Sequence, residues 1–104
     1  MNQFDVVANP FPRSRERQPL LVNLQSDLLA RAFDTVVVAP LEPAGGGPFA
    51  DRLNPRIDFD ASPYVVITQE IVTVRKSMLG KPKGSIAPER DKIIAALDLL
   101  FTGI

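Results

Sequence analysis

The chain has 104 residues, twelve basic and twelve acidic side chains, no cysteine and no histidine. Missing cysteine excludes disulfides, a thiolate nucleophile and thiolate metal sites, and missing histidine removes the commonest general base and metal ligand. A zero net charge lacks the positive field of a nucleic-acid binder, so no direct nucleic-acid contact is expected.

The length fits one domain, residues 1–104, able to hold a core without metal or disulfide. No stretch approaches the roughly 18 consecutive apolar residues of a membrane span, and "MNQFDVV" has no basic segment leading into an apolar run. A cytoplasmic protein without membrane contact is expected.

Residues 4–7 are β-prone, and "NPFPRSRERQP" (9–19) then breaks the pattern with three prolines and a charge run, which reads as an exposed hairpin-type loop. "LLVNLQ" (20–25) alternates, placing Leu20, Val22 and Leu24 on one face and Leu21, Asn23 and Gln25 on the other. "TVVVAPL" (35–41) is β-branched and almost uniformly apolar, the pattern of a central strand buried on both faces. "EPAGGGPF" (42–49) reads as a flexible loop rather than a phosphate cradle, because no Gly-Lys-Ser/Thr and no helix pattern follow its three glycines. "RIDFD", "PYVVITQ" and "IVTVRKSML" read as strands of an antiparallel meander.

The last segment, "GKPKGSIAPERDKIIAALDLLFTGI", changes character. Pro88 suits a first helical position, Ser85 or Ala87 stands near the cap, and Glu89 and Asp91 place negative charge at the positive end of the dipole. The helix is expected to run to about Thr102. At 100° per residue Ile93, Ile94, Ala96, Leu97, Leu100 and Phe101 share an inner arc, opposite Ala95, Asp98 and Thr102. The fold class is therefore α+β: a curled antiparallel β-sheet of five or six strands with one C-terminal α-helix.

No catalytic constellation emerges. Asp58 and Asp60 share a strand face but lack a second carboxylate cluster, so a solvated face is the better reading. Tyr64, in an apolar strand, reads as packing. Arg13, Arg15 and Arg17 alternate and suit phosphate or an acidic peptide, although with Glu16 among them a plain charged loop is an equal reading. No metal or cofactor is indicated.

"QSDLLA" (25–30), "VVVAPL" (36–41) and the terminal "LFTGI" (100–104) are similar to the QSDII, MVIPL and MFWGI stretches of the CcdB family, gyrase-poisoning toxins of toxin–antitoxin pairs. The resemblance runs from "QFDV" through "LNPRIDFD" to the last residue, with gaps chiefly near the glycines. It implies an SH3-like barrel of the CcdB/MazF type with a small β wing, a homodimer, and non-enzymatic action. The paired helix ends would bind the A subunit of DNA gyrase and trap its cleaved DNA complex. The site residues so implied are Leu28, Leu29, Asp98, Phe101, Thr102, Gly103 and Ile104. A cognate antitoxin would neutralise the toxin, with Arg13, Arg15 and Arg17 as its contacts.

The family has tryptophan where this chain has Thr102, and asparagine at Asp98. Losing an aromatic anchor costs about 2 kcal/mol or more, roughly thirtyfold in affinity, so one alternative is a homologue that dimerises and binds antitoxin but poisons gyrase weakly. Another is an mRNA-cleaving toxin of similar fold, which the missing histidine and zero net charge argue against.

Overall fold

Seven strands and one helix make up the computed structural model, which describes all 104 residues: β1 Asp5–Ala8, β2 Leu20–Asn23, β3 Thr35–Pro43, β4 Arg56–Phe59, β5 Ser62–Val66, β6 Val72–Arg75, β7 Gly84–Ser85 and α1 Arg90–Thr102. All pairings are antiparallel within one curled sheet, in the order β4-β5-β3-β2-β1-β7, with β6 also on β3. The seventh strand exceeds the expected count because β7 is only two residues long and is defined by its pairing to β1 rather than by any alternation of its own. No helix is long and apolar enough to cross a membrane.

The sheet is organised by β3. Its residues 38–41 pair with β2 on one side, while on the other side 35–38 pair with β6 and 41–43 with β5. Pro40 sits inside this central strand, where proline is ordinarily excluded because it cannot donate to the ladder. The bond from Leu24 N to Val37 O, with the β2–β3 register, turns the main-chain groups of residues 37, 39 and 41 toward β2. Those of residue 40 therefore face the other side, at the junction between β6 and β5 where no strand requires a donor. Only its carbonyl is used, accepting from Ile67 N at 2.9 Å.

Alternation along the strands distributes apolar side chains to both faces. Phe4, Val6, Leu20, Val22, Leu24, Ala39, Leu41, Ile57 and Val66 form one core with Ile86 and with Ile93 of α1, and Tyr64 packs against it as expected. Val7, Leu21, Val36, Val38 and Val74 form a smaller core on the opposite face, flanked by half-buried Phe11 and Leu79. β3 is thus buried on both sides, as its composition predicts.

Several boundaries differ from the sequence expectation, among them "IVTVRKSML", whose strand ends at Arg75 before a 3-10 turn over Lys76–Met78. The first strand of "RIDFD" ends at Phe59, and Asp60 and Ala61 form a two-residue turn to Ser62 with φ of 52° and 62°. Asp60 therefore shares no strand face with Asp58. The expected wing is this β4–β5 hairpin, continuous with the main sheet through β5–β3 pairing. The strand in "LLVNLQ" ends at Asn23; Leu24 N still donates to Val37 O, but Gln25 N donates to the Asn23 carboxamide, which in turn donates to Asn2 O.

The helix starts later than its proline implies. Ser85 Oγ accepts from Ala87 N, Pro88 lies in a 3-10 turn over Ala87–Glu89, and α1 follows from Arg90. The glycine segment is short and shaped: Ala44–Gly46 form a 3-10 turn, and a Cβ at Gly47 would come within 2.9 Å of the Phe49 ring.

Two consequences are measurable. Positive φ at both central turn positions favours glycine or asparagine over alanine, so Ala61→Gly is expected to raise stability by about 1 kcal/mol, read as a higher urea midpoint at unchanged slope. Ile93 is buried at the helix–sheet contact, so Ile93→Ala is expected to cost about 2–5 kcal/mol in the same assay.

Candidate functional site

The helix packs through its first two and a half turns and then runs clear of the sheet. Ile93 and Ala96 are buried, Ile94, Leu97, Leu99 and Leu100 are half-buried, and Phe101, Thr102, Gly103 and Ile104 are exposed. Phe101 was placed on the inner arc by the helical wheel, yet it is 68% exposed. Angular position is right for burial, but no part of the chain covers that turn. Periodicity reports direction around a helix and not whether anything lies there.

The tip is nevertheless held in a defined shape. Gly103 adopts φ 76° and its N–H bonds Leu99 O at 3.1 Å, a left-handed C-cap that residues with a Cβ reach at a cost. Thr102 Oγ1 donates to Asp98 O at 2.7 Å, so its hydroxyl is committed to its own helix. Arg52 Nη2 donates to Ile104 O at 2.9 Å. Arg52 belongs to a loop tied by Asn54, whose Nδ2 donates to Val66 O and Gln69 Oε1 while its Oδ1 accepts from Ala50 N. Sequence reasoning missed both residues. The pair Asn54-Pro55, which combines a side chain able to bond nearby backbone with a proline, was the available signal.

Asp98, Phe101, Thr102, Gly103 and Ile104 therefore form one contiguous tip, with Ile104 81% exposed. Leu28 and Leu29 lie elsewhere. They belong to a 3-10 turn over Asp27–Leu29, capped by Ser26 Oγ accepting from Leu28 N and anchored by Gln3 N donating to Asp27 Oδ1. Leu28 is 94% exposed. No hydrogen bond links this turn to the helix tip within one chain.

The arginines occupy a third place, the β1–β2 loop, where Ser14 N and Arg15 N donate to Phe11 O. Arg13, Arg15 and Arg17 are all exposed, but they are not equivalent. Arg17 pairs with Glu42 at 3.6 Å and Glu70 at 3.7 Å, and buried Gln18 donates to the same two carboxylates. Arg13 and Arg15 make no ion pair within the chain. Of the three, Arg17 is therefore already engaged. Histidine, cysteine and carboxylate side chains gather nowhere in a group of three or more able to hold a metal ion.

A solved structure described as the crystal structure of an Mtb toxin has the same fold, with a TM-score of 0.67 at 19% identity over 81% of this chain and 92% of that one. No curated protein sequence matches this one significantly. The family model for CcdB protein matches residues 3–103, which takes in the sheet, the arginine loop, the leucine turn and nearly all of the helix tip. The chain belongs to the CcdB family.

Proposed function

We propose that the protein is the toxin of a toxin–antitoxin module and acts by protein binding rather than catalysis, engaging the A subunit of DNA gyrase with the helix tips of a homodimer. The observation that carries this reading is the tip itself: Phe101 and Ile104 stay exposed while Gly103 and Arg52 keep the backbone around them ordered. An ordered apolar protrusion is suited to burial in a partner, because little conformational entropy remains to be lost on docking. Leu28 and Leu29 join the same surface if the homodimer brings the leucine turn of one protomer to the tip of the other.

Thr102 favours a second reading, a homologue with weakened gyrase poisoning. Its hydroxyl is satisfied within the helix, and its small side chain supplies little contact area at a position where a large aromatic would anchor an interface.

Calorimetric titration against the gyrase A subunit tests both readings. Wild type is expected to bind, deletion of Thr102–Ile104 to abolish binding, and Thr102→Trp to tighten it by roughly thirtyfold, about 2 kcal/mol. A truncated protein that binds as well as wild type would remove the tip from the site.

Antitoxin recognition through the arginine loop predicts an asymmetry among its members. Arg13→Ala and Arg15→Ala are expected to weaken binding of an acidic antitoxin segment without altering stability. Arg17→Ala is expected to lower stability by about 1 kcal/mol, since the guanidinium that makes both ion pairs is itself exposed although Glu42 is largely buried. Parallel urea melts and antitoxin titrations separate the two effects, and unchanged affinity in the triple alanine variant would exclude the loop.

A further inference from the structure

The strand β6 is paired on one side only. The bond from Lys76 N to Asp34 O fixes the phase of its ladder with β3: residues 72, 74 and 76 turn their main-chain groups inward to Val38, Val36 and Asp34. Thr73 and Arg75 consequently direct N–H and C=O away from the sheet. They form a short, ready-made edge able to pair with one more extended segment.

Beside this edge lies an apolar groove of about 480 Å³, lined by Phe11, Val72, Val74 and Met78. Val72 and Met78 are 48% and 49% exposed, on the sheet face that α1 does not cover. Val72 and Val74 are two residues apart, so they share the face on which the groove lies, with Val72 exposed and Val74 forming its buried floor.

The surroundings are basic. Residues 71–83, "IVTVRKSMLGKPK", carry Arg75, Lys76, Lys81 and Lys83 and no acidic residue, in a chain whose net charge is zero, although Lys83 lies apart from the edge in a depression with Asp58 and Asp60. Arg75 borders both the apolar groove and a second depression that contains Arg31, Phe33 and Lys76. Neither Arg31 nor Arg75 is in an ion pair. Asp34 lines that depression too, and Lys76 Nζ is held by Ala30 O, so the free positive charge comes chiefly from the two arginines. Phe11, which lines the groove, also opens the turn that carries the exposed, unpaired Arg13 and Arg15.

We infer that the β6 edge is a strand-addition site for an acidic, extended peptide. Its main chain pairs with Thr73 and Arg75, alternate apolar side chains enter the Val72–Val74–Met78 groove, and the intervening carboxylates face Arg75, Arg31 and the Arg13–Arg15 turn. Main-chain pairing supplies the binding mode, and the alternation of pockets and cations supplies the selectivity. Assigning this peptide to an antitoxin rests on the toxin reading above; the peptide chemistry of the edge does not.

The probe is a fluorescein-labelled peptide of about ten alternating Glu and Val residues, long enough to cover the edge and both depressions. A Lys–Val counterpart and a Glu–Val peptide N-methylated at alternate amides serve as controls, all followed by fluorescence anisotropy. Saturable, salt-sensitive binding of the Glu–Val peptide is expected, with neither control binding. Thr73→Pro removes an outward N–H that the β3 ladder does not use, so its circular dichroism is expected to match wild type while peptide affinity falls at least about tenfold. Arg75→Glu is expected to weaken the peptide comparably and to flatten its salt dependence.

Equal binding of the methylated peptide, or full affinity in Thr73→Pro, would overturn strand addition. So would sedimentation showing that Thr73→Pro turns a dimer into monomers without loss of peptide affinity, which would assign the edge to a second copy of the chain. Gyrase A titration of the wild-type protein, run beside its peptide titration, keeps the two proposals apart. Peptide binding without gyrase binding leaves the edge standing and removes the gyrase reading, and the reverse result removes the edge alone.

Discussion

The arrangement depends on one strand serving three neighbours. β3 is nine residues long, while no other strand exceeds five, and it has two partners in succession along one side. Such a strand must be apolar on both faces, which its run of valines provides, and it must tolerate a gap in hydrogen bonding where one partner gives way to the next. Pro40 occupies that gap. Placed one residue earlier or later, a proline would remove a donor that faces β2; at 40 it removes one that no strand requires. The handover from β5 to β6 curls the sheet and leaves β6 with an unpaired outer edge.

The same geometry sets how far the helix can be supported. α1 lies on the first core through Ile93, with half-buried Ile94 and Leu97 beside it, and burial along the helix fades over its last turn. A helix of thirteen residues is longer than that support. Its surplus turn, with Phe101 and Ile104 outward, would ordinarily fray, since apolar residues in water gain nothing from order. Gly103 and Arg52 oppose fraying, the first by bonding the Leu99 carbonyl and the second by fixing the main chain after the cap at Ile104 O. Stability is thereby spent on holding exposed apolar residues in place, a pattern that makes sense where their contacts lie in another molecule.

Legibility from the sequence followed the range of the interactions involved. The central strand, the hairpin loop, the inner helical face at Ile93 and Ala96, and the α+β class all rest on local alternation and were readable. Three features were not. β7 exists only because β1 pairs with it. The turn at Asp60–Ala61 uses a left-handed alanine where glycine is the usual cue, so its sequence carried no signal. Phe101 has the phase of a core residue and lacks the core, a fact about what covers that turn, which no helical wheel contains. The proposed site divides in the same way. Its helix-tip members are sequence neighbours and could be read together, whereas Arg52 reaches Ile104 across 52 residues of chain and is found only in three dimensions.

Edge strands expose a folded protein to unwanted pairing, and charged residues on the edge are the usual defence. Arg75 and Lys76 fit that role, and defence alone would account for their charge. It does not account for the apolar face beside them. A guarded edge is expected to be short, twisted and polar on its accessible side, whereas β6 keeps Val72 and Met78 half exposed next to a groove. Charges of one sign repel a second copy carrying the same charges, yet attract an extended chain of opposite sign. The combination excludes self-pairing more strongly than it excludes an acidic strand, so protection from aggregation and selection of a partner follow from the same residues.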